Sequence, residues 1–276
     1  MRSLVILAVP LIIALGTAQA GESLQSILDS RPAEDMARDQ YRHPAETLAF
    51  FGLEPGMRVV ETLPGRRAWY TRILVPYLGR NGVLYGANYT HALFQRIFGE
   101  RWEDLREKME AWPETFPAQA AGYAEAPPTI GTLTITEAPE KLYGTFDHVL
   151  FIRSLHHLNR YDPTTLDRAA AEARNLLKPD GVVGIVQHRA PESASDEWAN
   201  GDNGYLKTSR VVAAFEAAGL ILEESSELNT NPLDRPTEED RVWRLPPSNG
   251  QGRESRETYL AIGESDRMTL RFRKPE

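Results

Sequence analysis

From Arg58 onward, short apolar runs alternate with segments of helical period, and that alternation restricts the chain to a small set of folds. Arg58–Thr62 is brief and β-branched, as strands buried on both faces of a parallel sheet are. A helix from about Arg67 to Leu78 follows and stops at Gly79, and Gly82–Ala87 supplies a second strand. Leu93, Ile97, Trp102, Leu105 and Met109 stand at near-helical intervals, predicting a helix or helical pair that the Pro-rich stretch from Pro113 to Pro128 ends. Thr132–Ala138 reads as a third strand and Phe146–Ser154 as a fourth. Asp162 or Thr164 caps an Ala- and Leu-rich helix that stops at Lys178-Pro179-Asp180-Gly181. Val182–Arg189 is then a strand, Lys207–Gly219 a helix, Leu220–Leu228 a sixth strand and Arg267–Pro275 a closing one. Strands that alternate with helices pair through right-handed crossovers, so the pattern predicts an α/β, doubly wound, Rossmann-like and mostly parallel sheet of about seven strands. The last two strands flank the long polar loop 229–259, which has no apolar period, and are expected to form a hairpin-like pair that makes the C-terminal strand antiparallel.

Residues 1–20 are set aside from the fold. Arg2, the apolar run Leu4–Leu15 and the small-x-small sequence Ala18-Gln19-Ala20 predict a signal peptide cleaved near Ala20. The run is shorter than the roughly 20 residues that span a bilayer, and the mature chain carries no membrane span. The expected product is a single domain, residues 21–276, with an N-terminal helical cap over 21–55. The chain has no cysteine, which excludes disulfides and a lipid-modified cysteine and fits a periplasmic or secreted protein. Losing Arg2 with the leader moves the formal charge from -8 to -9, and such acidity argues against nucleic acid, whose binding needs concentrated Lys and Arg. The expected partner is a small-molecule ligand.

In doubly wound sheets that ligand sits at the carboxyl ends of the strands, where strand order reverses. Four stretches fall there: Glu61–Gly65, Ala87–Tyr89, Thr136–Pro139 and Ile152–His157. Their order and spacing resemble the class I S-adenosylmethionine-dependent methyltransferases. More narrowly, "RHPAETLAFFGLEPGMRVVETLPG", "FDHVLFIRSLHHL", "GVVGIVQHRA" and "SDRMTLRFRKP" look like a group of exported predicted methyltransferases. The resemblance implies an S-adenosylmethionine cofactor. It places Glu61 at the cofactor's amino group, Gly65 in its glycine-rich turn, Asn88 at the ribose and Glu137 at the adenine, with His157 or His188 to take an acceptor's proton.

The turn departs from the family pattern. Leu63 and Arg67 stand at two glycine positions, and Asn88 offers one oxygen where a carboxylate would offer two. Each of these residues also has a plainer reading. Glu61 can pair with Arg66 or Arg153 at a strand end, Gly65 can simply serve a Pro-Gly turn, and Trp69 and Tyr70 can be core. Arg66, Arg67, Arg153 and Arg189 all fall near strand ends, where they either pair with Glu61, Glu137 and Asp147 or form a cationic mouth for an anion. His156, His157 and His188 could act as a general base or, with Glu61 or Glu137, bind a metal, although no metal motif is present and none is expected. Three functions are consistent with these residues: an exported methyltransferase of unknown acceptor, a repurposed methyltransferase-like protein that binds an anionic small molecule or a protein partner, and a hydrolase or other metal-assisted enzyme that uses the histidines.

Overall fold

The computed structural model describes residues 23–276, so the leader expected over residues 1–20 lies outside the described residues. Four short helices come first: α1 (Leu24–Asp29), α2 (Ala33–Met36), α3 (Asp39–Arg42) and α4 (Pro44–Phe51). Ser23 caps α1 by accepting from the Ser26 amide, and Pro44 opens α4 where its missing N–H has no helical partner to lose. Strands and helices then alternate as β1 (Arg58–Thr62), α5 (Thr71–Leu78), β2 (Val83–Asn88), α6 (His91–Phe98), α7 (Trp102–Glu110), α8 (Trp112–Ala121) and β3 (Thr129–Thr134). The second half runs β4 (Phe146–Ile152), α9 (Leu155–Arg160), α10 (Thr164–Leu176), β5 (Leu177–His188), α11 (Thr208–Ala217), β6 (Ile221–Ser226), α12 (Arg256–Ile262) and β7 (Arg267–Arg273). Among the described residues no helix is long and apolar enough to cross a membrane.

The seven strands form one sheet in the order β3-β2-β1-β4-β5-β7-β6. Every pairing from β3 to β5 is parallel, and β7 lies antiparallel between β5 and β6. This is the predicted fold class, and the predicted final pair is β6 with β7. Neighbouring residues of the central strands face opposite layers, as the pleat requires. Val59, Leu150 and Val186 join the apolar layer under α1, α4, α5 and α8, whereas Val60, Val149, Phe151 and Ile185 join the layer under α6, α7 and α9 to α11.

Several elements differ from the sequence expectation: β5 begins at Leu177 and so runs through the expected stop at Lys178-Pro179-Asp180-Gly181, α12 starts inside the loop 229–259, and two further differences bear on the sheet edge. The third strand begins and ends earlier than Thr132–Ala138, pairing Val83 with Thr129 and Asn88 with Thr134. Gly131 belongs to it because a Cβ there would meet the Tyr85 ring at 2.5 Å, so only glycine lets the strands lie in this register. The expected helical pair is α6 and α7, which ends at Glu110, but the Pro-rich stretch beyond it is itself helical and forms α8. Pro113 sits in its first turn, and the hydroxyl of Thr132 donates at 3.4 Å to the Pro113 carbonyl, which Pro117 has no N–H to reach. Phe116 of α8 then packs over Gly86, where a Cβ would meet its ring at 2.5 Å.

The segment between β6 and α12 has little regular structure, apart from a short 3-10 turn at Val242–Arg244. It is not loose. Val242 packs with Ala190, Trp198, Ala199 and Tyr205 in a small core of their own, and a buried ion pair joins Arg244 to Asp234 at 2.7 Å.

Candidate functional site

Strand order reverses between β1 and β4, so a doubly wound sheet of this order opens its ligand crevice at their carboxyl ends. Here those ends are tied together by side chains. The hydroxyls of Thr62, at the end of β1, and Ser154, just past β4, share a hydrogen bond of 2.6 Å. Tyr89, the first residue after β2, reaches over the end of β1 and donates at 2.5 Å to the Ser154 carbonyl. Tyr89, Thr62 and Ser154 are all buried. The Tyr89 ring also lies 5.4 Å from Phe94 and 6.1 Å from His157, so it belongs to an aromatic cluster beside these strand ends.

Glu61 is the last residue but one of β1, close to the strand end as expected, and it is 3% exposed. It pairs with neither Arg66 nor Arg153. Thr71, the first residue of α5, donates its hydroxyl to it at 2.7 Å. Burial raises the Glu61 carboxyl to about 7, against the pull of the two Thr71 hydrogen bonds. The turn that follows has three residues at positive φ, only one of them glycine: Leu63 at φ 50°, Gly65 at φ 69° and Ala68 at φ 48°. For Leu63 and Ala68 such a conformation costs on the order of 1 kcal/mol each. Arg66 and Arg67 point to solvent and make no ion pair among the described residues. Trp69 and Tyr70 are core.

Of the other expected cofactor residues, Asn88 is the last residue of β2, half-buried, with its carbonyl accepting from Ile135. Glu137 is exposed in the turn beyond β3, because that strand ends at Thr134. The structure brings Glu61 and Gly65 to the crevice edge and leaves Glu137 facing water.

The histidines converge. The rings of His156 and His157 lie 4.0 Å apart, His188 is 5.6 Å from His156, and Trp243 from the long loop stacks on His157 at 6.2 Å. Burial lowers all three, His157 to about 4, so each is a neutral imidazole at pH 7. The Nδ1 of His188 and the Ser265 hydroxyl share a 2.5 Å hydrogen bond. Among the described residues no group of three or more His, Asp or Glu is arranged to hold a metal ion.

The arginines are not distributed as expected. Arg189 pairs with Glu227 and Asp266, and Asp147 pairs with Lys178, so none of the expected partners of the arginines is theirs. Arg153 turns instead, at φ 56°, toward a group that sequence reasoning missed. Arg38 and Arg42, flanking and ending α3, and Arg267, the first residue of β7, all bond to the carboxylate of Glu264. Arg42, Arg267 and Glu264 are buried, and the Arg42 guanidinium also lies 4.5 Å over the Trp69 ring. The signal in the sequence was the pair of Arg residues ahead of Pro44 and the Glu264–Arg267 run ahead of the last strand, separated by most of the chain. Two open cavities lie away from the histidines and from Glu264, the second of them beside the Arg189–Asp266 pair. One of about 940 Å³ is lined by Arg31, Arg72, Tyr77 and Tyr123, and one of about 500 Å³ by Arg189, Asp234 and Arg235.

No family model matches the chain, and no curated protein does. Solved structures do. A putative sarcosine dimethylglycine methyltransferase from Galdieria sulphuraria superposes with a TM-score of 0.52 at 14% identity, covering 90% of each chain. The Haloferax volcanii complex of the Trm112 methyltransferase activator with a putative methyltransferase gives 0.51 at 18%, covering 92% of this chain and 98% of that one. The [4+2]-cyclase SpnF gives 0.51 at 16%, covering 85% and 80%. The fold is class I methyltransferase-like. Identities this low establish the fold alone, and the cofactor must be judged on the residues. They depart from its pattern: Tyr89 is buried and bonded across the strand ends, Leu63 stands at φ 50° where the resemblance places a glycine, and one Glu61 oxygen is taken by Thr71.

Proposed function

We propose that this chain is an exported small-molecule-binding protein on a methyltransferase-like scaffold, whose ligand is not S-adenosylmethionine. The observation that carries this reading is the hydrogen bond from Tyr89 to the Ser154 carbonyl, which ties β2 to β4 across the switch point. A cofactor entering there has to break it and displace a buried aromatic ring. Fold does not fix chemistry, and a protein named as a [4+2]-cyclase shares this one.

Methyl transfer is the second reading, favoured by Glu61, a buried carboxyl at the end of β1 where the resemblance places one. Titration calorimetry with S-adenosylmethionine and S-adenosylhomocysteine separates the two. We expect no heat and no thermal shift at millimolar ligand, whereas ligand at 100 times its dissociation constant would stabilise a binding fold by about 2.7 kcal/mol. Micromolar binding to the wild-type chain overturns the proposal in favour of methyl transfer. Binding that appears only in a Tyr89→Ala variant supports it, since the crevice is then closed by that ring. Export is supported by the basic start, apolar run and small-x-small site of residues 1–20. The intact mass of protein recovered from the periplasm should begin at Gly21, and a retained leader would exclude cleavage.

A further inference from the structure

The group around Glu264 is out of electrostatic balance. Arg38, Arg42, Arg153 and Arg267 gather on one carboxylate, and the neighbouring Arg31 is matched by Asp39 at 2.5 Å. Asp35 is already paired with Arg72, so it adds nothing. Four guanidinium groups thus share one negative charge. Hydrogen bonds are equally incomplete. The Nη2 of Arg42 and the Nε of Arg267 are buried with no acceptor, and Arg153 makes no side-chain hydrogen bond among the described residues. A buried, unpaired donor on a charged group is expensive, and guanidinium cannot escape by shedding its proton. The surroundings offer no relief, since Tyr70 and His188 beside the cluster are held in their neutral forms.

The position is that of a ligand site. Arg153 follows β4, Arg267 begins β7 beside the end of β5, and Arg38 and Arg42 come from the helices before β1. All face the carboxyl-terminal edge of the sheet next to the closed crevice. Glu264 shows the chemistry the cluster accepts, because its two oxygens already take bonds from three guanidinium groups. Arg38 and Arg153 are half-buried and so stand at the rim of the cluster.

We propose that Arg42, Arg153 and Arg267, with Arg38 at the rim, bind a small oxyanion, the carboxylate or phosphate group of this protein's ligand. Glu264 serves as the fixed counter-charge that orients the arginines, and the ligand supplies the second. The proposal rests on the reading of the chain as a small-molecule-binding protein and names the class of molecule.

Inorganic phosphate and succinate are the probes, titrated into the full chain by calorimetry and thermal shift at constant ionic strength against chloride. The expected result is saturable heat and saturable stabilisation by at least one of them, which also tells phosphate from carboxylate. An Arg153→Gln variant should fold as well as wild type in chloride, because it relieves repulsion, and should bind the active probe about tenfold or more weakly. Any general salting-out by these ions survives in the variant and is thereby subtracted. Absence of saturable heat with both probes on the wild-type chain overturns the proposal, as does equal affinity in the variant; should the variant fail to fold, the wild-type calorimetry decides alone. The cofactor titration keeps the two readings apart. If phosphate or succinate binds and S-adenosylmethionine binds too, the binding-protein reading falls and the anion site stands; if none of them binds, the anion site falls and the closed crevice stands.

Discussion

At the scale of the residue, Glu61 is the clearest conflict between burial and charge. Its ordinary carboxyl value is 4.5 and burial raises it to about 7, so between those values the folded chain holds a proton that the unfolded chain has lost. Its contribution to stability therefore falls as pH rises from 4.5 to 7 and stays low above 7, by on the order of 3 kcal/mol. The buried histidines act in the opposite sense. Their values are lowered, so their neutral forms favour folding above about 6.5 and cost stability as pH falls. A Glu61→Gln variant isolates the first effect, because the amide oxygen can still accept from Thr71 while the charge is gone. Denaturation midpoints of variant and wild type should coincide near pH 4 and diverge in favour of the variant by pH 8. If the variant is instead weaker at pH 8, the carboxylate is stabilised by a partner other than Thr71. The sequence showed Glu61 at a strand end, where a charged residue is ordinary; that the strand end is sealed depends on Tyr89, fixed by where β2 stops relative to β4.

At the scale of the element, the sequence is informative where burial is symmetrical and weak where it is not. β1, β4 and the part of β5 from Val182 onward have apolar layers on both faces and read as continuous β-branched or apolar runs, so their placement is legible, whereas the start of β5 at Leu177 is hidden by the partly exposed Lys178-Pro179-Asp180, which read as a stop. β3 is an edge strand with only Leu133 buried, and its threonines and glycine give little apolar signal, so the sequence pattern puts it about three residues beyond its true start. That shift carried Glu137 off the strand and into solvent. α8 was missed for a different reason. Two prolines read as breakers, yet one lies in the first turn and the other leaves a carbonyl that Thr132 satisfies, while Trp112 and Phe116 stack at 4.9 Å one turn apart. Local sequence cannot report an acceptor's partner that comes from another element.

At the scale of the whole molecule, the two ends of the described chain meet at Glu264. Arg38 and Arg42 bond to it from 226 and 222 residues away, a juxtaposition that no local pattern encodes. Burial pushes the Glu264 carboxyl up, but Arg267, Arg42, Arg153 and Arg38 outweigh it and hold the group well below its ordinary value. A depressed carboxyl contributes stability that is present above about 4.5 and is lost as pH falls through the folded value. Glu264→Gln removes the one charge that binds α3 to the start of β7 and leaves four guanidinium groups facing each other. Breaking a buried pair from one side typically costs about 3–5 kcal/mol. In chloride buffer at pH 7 the variant should lose stability of that order, and the loss should shrink as pH drops below 4, because the unfolded wild-type chain then takes up a proton that the folded Glu264 still refuses. The damage should also be directional: amide exchange should rise first in residues 24–51, which dock through these contacts, while β1, β4 and β5 keep their protection until global unfolding. A uniform rise across the sheet would mean that the helices before β1 are held mainly by the apolar layer of Ile27, Leu48 and Phe51, and that the arginine cluster serves its ligand rather than the fold.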